Sequence, residues 1–154
     1  MIRSFIFLVI SFLFFACSNE TGKTFNIRGE IKSAPASPIY LELISFNNAP
    51  PQVIDSMTVK DGKFSFKGKT TEESLLQIRF PQLQEAPIVF IVNDKSNIEI
   101  SGEWGKPTSY RFNGSPASER LRVFIDSLTA LQIQMMADTA QALTDSIAML
   151  RQAG

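Results

Sequence analysis

Val53-Ile54-Asp55-Ser56-Met57-Thr58-Val59-Lys60-Asp61-Gly62-Lys63-Phe64-Ser65-Phe66-Lys67 is the stretch whose reading decides the fold. Val53 to Val59 reads as one strand. Phe64-Ser65-Phe66-Lys67 alternates apolar and polar side chains with the two-residue period of a second, half-buried strand. Between them, Asp61-Gly62 supplies the residue types that adopt the positive φ angles of a tight hairpin turn.

The same signal extends outward from this hairpin. Upstream, Phe25, Ile27, Gly29 and Ile31 alternate with Asn26, Arg28, Glu30 and Lys32, and Ile39-Leu41-Leu43 repeats the pattern. Downstream, Leu76-Ile78-Phe80 alternates with Gln77 and Arg79 and stops at Pro81. Ile88 to Val92 is a continuous apolar run, the mark of a strand covered on both faces. After the turn Asn93-Asp94-Lys95-Ser96 the alternation resumes at Ile98-Ile100, and Tyr110-Phe112 ends the series at Asn113-Gly114. About eight short strands with turns at this spacing predict a mainly β fold over residues 25–114, an antiparallel β-sandwich.

Ser115-Pro116 opens a different regime. Serine is a good N-cap, proline is tolerated at the first helical position, and Glu119 sets a negative charge in the first turn. No Pro or Gly follows until Gly154, so residues 115–153 are expected to form a long C-terminal helix. Leu121, Phe124, Leu128, Leu131 and Met135 share one seam; Met136, Ala140, Leu143, Ile147 and Leu150 share another, shifted by one position. That shift predicts either one helix whose halves face different partners or a kink near Ala137-Asp138-Thr139. The helix is longer than a sandwich of this size can cover, so part of it should protrude.

At the other end, Met1-Ile2-Arg3-Ser4 is a positively charged start, and Phe5 to Ala16 is apolar except for Ser11. This is the layout of a secretory signal; twelve helical residues reach only about 18 Å, short of a bilayer core of about 30 Å. Phe14-Phe15-Ala16-Cys17 resembles a bacterial lipobox, with Phe14 where leucine is usual. The reading is therefore a lipoprotein signal peptide over 1–17, lipidation at Cys17 and a polar tether over 18–24. Ser18 is not the aspartate of inner-membrane retention. The expected location is the outer membrane, facing the periplasm, with the cell surface as the alternative.

Composition narrows the chemistry. The 154 residues include no His and one Cys, with 15 basic and 15 acidic side chains. No histidine relay, imidazole metal site, disulfide or CxxC pair can be built from them. A net charge of zero lacks the basic excess that nucleic-acid binding would need. Asp55 is a lone carboxylate with no second acid at a fixed spacing, and Asp61, Asp94 and Glu99 look like solvated turn residues. The expectation is no catalytic residue, no metal and no cofactor. Phe46 and Trp104, each in a loop, are candidate ligand contacts for glycan or peptide, or else close the ends of the sandwich.

The ordered series Phe25-x-Ile27-x-Gly29-x-Ile31, Ile39-Tyr40-Leu41, Asp55-Ser56, Asp61-Gly62-Lys63-Phe64-Ser65-Phe66-Lys67-Gly68, Ile98-x-Ile100-x-Gly102 and Gly114-Ser115-Pro116-Ala117-Ser118 resembles a lipoprotein family. In that family an N-terminal domain of unknown function precedes an AhpC/TSA-type thioredoxin-like domain. The resemblance covers roughly Thr24 to Leu128. It implies a non-catalytic, lipid-anchored envelope domain that positions or recruits a thioredoxin-like thiol–disulfide oxidoreductase, in cis or in trans. Residues 115–153 would then be a helical tail or a linker to a missing domain. The alternative is a stand-alone envelope module that binds glycan or peptide.

Overall fold

The structure, a computed structural model, describes residues 22–152 except 48 and 85. The expected signal peptide, Cys17 and most of the tether lie outside these residues. Eight strands are followed by one helix: β1 Lys23–Lys32, β2 Pro38–Leu43, β3 Gln52–Thr58, β4 Lys63–Thr70, β5 Leu75–Arg79, β6 Val89–Val92, β7 Asn97–Glu103, β8 Lys106–Asn113 and α1 Pro116–Gln152. They form two four-stranded sheets, ordered β4-β1-β7-β8 and β3-β2-β5-β6. The fold is a β-sandwich with a C-terminal helix, as the alternation of the sequence predicts.

The core lies between the sheets. Ile27, Ile31, Phe66 and Ile98 from one sheet, with Ile39, Leu41, Leu76, Ile78 and Ile91 from the other, are fully buried. All but Ile91, which lies in an all-apolar run, are apolar members of alternating strands, and the two-residue period turns them to the face between the sheets. The expected tight turn forms at Asp61 and Gly62, with φ of 51° and 75°, the left-handed backbone that the Asp-Gly sequence favours. The expected hairpin does not: β3 and β4 lie in different sheets, so beyond the Lys60–Lys63 bridge the turn is a corner that carries the chain from one sheet to the other.

The expected antiparallel pairing holds for every strand pair but β1 with β7, which is parallel, Ile27 facing Ile98 and Gly29 facing Ile100. The chain leaves β6 at the end of the sandwich where β1 begins. It crosses to the other sheet, where the amide of Asn26 meets the carbonyl of Ser96 at 2.8 Å, and β7 must run alongside β1.

A further expectation is corrected. The run Ile88 to Val92 is not covered on both faces: β6 is an edge strand, only Val89 and Ile91 are buried, and Ile88 is half exposed. Of the two alternatives for the helix the unbroken one holds: it runs for 37 residues through Ala137-Asp138-Thr139. Its first turns lie along the edge strands β6 and β8, and from Ser127 to Arg151 every residue is exposed. The uncovered part projects about 39 Å at 1.5 Å per residue.

Candidate functional site

A two-sheet sandwich has two open sides, each lined by edge strands with unpaired amides. Side chains close both of them. On the β3/β4 side, Asp55 Oδ2 accepts the Lys67 amide at 3.1 Å and Met57 Sδ accepts the Ser65 amide at 3.0 Å. Asp55 Oδ1 takes its neighbour's Ser56 amide at 2.8 Å. Both oxygens of this carboxylate are thus engaged, Oδ2 in tying one sheet to the other and Oδ1 within its own strand. That is a structural role, and it lies within a strand.

On the β6/β8 side the helix does the same work. Glu119 Oε2 accepts the Phe112 amide of β8 at 3.2 Å, and Ser118 Oγ accepts the Val92 amide of β6 at 2.9 Å. Ser115 caps the helix, its Oγ taking the Ser118 amide at 3.1 Å, as its place before Pro116 predicts. Asp94, expected to be a solvated turn residue, accepts from Ser115 Oγ at 2.5 Å and from the Ala117 amide at 3.1 Å. A carboxylate over the first helical amides also complements the helix dipole. Glu119 is further held by Arg122, which bridges on to Asp126. The Arg122 guanidinium keeps the Glu119 carboxyl below its usual range. The root of the helix is therefore locked to both sheets.

The two candidate ligand aromatics stand at opposite ends. Trp104, in the β7–β8 turn, packs edge-on against Phe80 with ring centroids 4.7 Å apart, and its amide donates to the Lys32 carbonyl. It closes the end of the core beyond which the helix projects. Phe46, after β2, is 86% exposed beside an open groove of about 900 Å³ that includes Gln52, Lys69, Glu72 and Ser74. The end-closing reading holds for Trp104 and fails for Phe46, which touches no core.

A cluster not marked by the sequence lies on the outer face of the second sheet. Glu42 accepts from Gln77 Nε2 at 2.7 Å and from Arg79 Nε and Nη2 at 3.1 and 2.5 Å. The Arg79 guanidinium lies 5.5 Å from the Tyr40 ring centroid. Arg79, and after it Gln77, hold the Glu42 carboxyl below its ordinary value against the opposing effect of burial. The register of β2 with β5 carries the information, pairing Glu42 with Gln77 and Tyr40 with Arg79.

The outer face of the first sheet forms an open groove of about 710 Å³. Glu30 pairs in register with Lys63, and Arg28 with Glu99. Charges of both signs alternate there, so the face presents no single-sign field. Among the described residues no group of acids, Cys and His could hold a metal ion. No described helix is long and apolar enough to cross a membrane.

A family description matches residues 25–121: Domain of unknown function (DUF4369). The chain belongs to the DUF4369 family. The matched span runs from the first core residue of β1 through the root of α1, so the DUF4369 unit is the sandwich together with its helix lock. No curated protein and no solved structure matches the chain.

Proposed function

We propose that this DUF4369 chain is a non-catalytic, lipid-anchored domain of the cell envelope that positions a thioredoxin-like thiol–disulfide oxidoreductase. The observation that carries this reading is the lock. Asp94, Ser115, Ser118 and Glu119 fix the helix root to both sheets, while the remainder projects about 39 Å from the sandwich. Such a helix holds whatever is joined or docked to it at a set distance from a sandwich tethered through Cys17. The carboxylates best placed to attract a catalytic reading, Asp55, Glu42 and Asp94, are each engaged in structural hydrogen bonds. The resemblance to lipoproteins with a following thioredoxin-like domain supplies the chemical class of the cargo. The anchor would sit in the outer membrane, facing the periplasm.

The test is affinity capture of the membrane-anchored chain from envelope fractions, with sequencing of the full reading frame. The proposal expects a thioredoxin-like protein with a CxxC pair, either recovered as a partner or encoded in the same frame. Recovery of neither would overturn it. Cys17→Ala should release the chain from membranes; a variant still membrane-bound would contradict the lipid anchor.

The second reading, a glycan- or peptide-binding module, draws on the exposure of Phe46 at its groove. Glycan or peptide binding that is lost in Phe46→Ala would favour it.

A further inference from the structure

Beyond Asp126 the helix carries a long apolar face that the sandwich does not cover. Leu128, Leu131, Met135, Thr139, Leu143, Ile147 and Leu150 follow one another at steps of 3-4-4-4-4-3. The six apolar members are between 44% and 74% exposed. The helix is unbroken, and members of both seams, Leu128, Leu131, Met135 and Leu143, line a common groove with Thr139. The six steps total 22 residues, about 3.67 per turn, so this face stays on one side of a nearly straight helix.

The spacing is a palindrome centred on Thr139. Reversing the helix about that residue sets Leu128 opposite Leu150, Leu131 opposite Ile147 and Met135 opposite Leu143. A second helix laid antiparallel about Thr139 therefore covers this face from Leu128 to Leu150. A parallel pair would place no demand on the order of the steps, whereas an antiparallel two-fold requires this symmetry. It also opposes the two helix dipoles.

We infer that this face is an isologous interface: two copies of the chain pair through antiparallel helices about a two-fold axis at Thr139. With six apolar side chains per copy each contributing on the order of 100 Å², the pair buries about 1,200 Å², at the lower bound of stable specific interfaces. Only Asp138 and Asp145 are charged between Ser127 and Leu150. The two-fold brings Asp138 of both copies to the same side of the axis, so like charges face each other there. The inference is independent of the cargo: the helices can pair whether or not an oxidoreductase is recruited, and capture experiments do not decide it.

The experiment uses the full chain in detergent with Cys17→Ser, which removes its one cysteine, and reads mass by sedimentation together with disulfide trapping. A dimer is expected. Thr139→Cys should cross-link with itself on oxidation. Leu128→Cys and Leu150→Cys should cross-link with one another when mixed, and neither with itself. Met135→Glu, at an exposed position that leaves the sandwich intact, should weaken association about tenfold or more, and Asp138→Asn should tighten it about threefold. A monomer at all concentrations, or Leu128→Cys linking to itself, would overturn the inference. So would association unchanged by Met135→Glu.

Discussion

Phe64 of β4 stands opposite Gly29 of β1, and its ring fills the space that a side chain at position 29 would occupy. Four residues along the same strand pair the arrangement is reversed, with Phe25 of β1 over Gly68 of β4. A strand glycine weakens a sheet unless something packs over it, and here an aromatic ring does so on each side. The glycines thus fix register, because a one-residue slip would drive Phe64 and Phe25 into ordinary side chains. Gly29→Ala is expected to destabilise the domain by about 1–3 kcal/mol through overpacking. Thermal unfolding checks this, and Phe64→Leu in the same chain should recover part of the loss.

Asp55 joins the sheets through the Lys67 amide. Asp55→Ala leaves that solvent-exposed amide without its protein partner and should cost about 0.5–1.5 kcal/mol. Asp55→Asn, whose amide oxygen can still accept, should cost less. Denaturant unfolding of the two variants measures the difference, and equal losses would contradict the hydrogen-bonding role.

The Glu42 and Glu119 carboxyls are both held below their ordinary value of 4.5 in the folded chain, by Arg79 and Arg122 respectively. The sign follows from linkage. Their contributions are fully present above the unfolded value and are lost as pH falls through the depressed folded values. Stability should therefore decline below pH 4.5, and Glu42→Gln should flatten that part of the profile. Unfolding midpoints across the acid range provide the check.

Trp104 and Phe46 should part company on substitution. Trp104→Ala removes the partly buried ring packed on Phe80 and should cost about 2 kcal/mol, less than truncation of a fully buried aromatic. Phe46→Ala removes an exposed ring and should change stability by no more than about 0.5 kcal/mol. Calorimetry on both variants tests this, and Phe46 is the cleaner position at which to probe ligand binding.

What could be read from the sequence was what is local. The Asp61-Gly62 turn, the alternation of Phe25 to Ile31 and the start of the helix at Ser115-Pro116 depend on residues within a turn or two of one another, whereas the placing of β3 and β4 in different sheets does not. Asp94 was illegible because the groups it holds lie more than 20 residues away, at Ser115 and Ala117. The bridge from Asp55 to Lys67 and the Glu42–Arg79 pair likewise follow from strand order and register, which hydrophobic period does not encode. The apolar run at Ile88 misled for the same reason: an edge position is a property of the sheet. The two helical seams, offset by one position, sit on one unbroken helix, a choice that hydrophobic period alone leaves open.

The central claim is that the helix is a strut of fixed direction. Spin labels at Thr108 on β8 and Gln141 on the helix, with Cys17 replaced and the labelled chain diluted in unlabelled chain, measure this by pulsed electron resonance. A single narrow distance distribution is predicted, broadening when Asp94→Ala and Ser118→Ala remove the lock. A broad distribution in the otherwise unaltered chain would contradict the account.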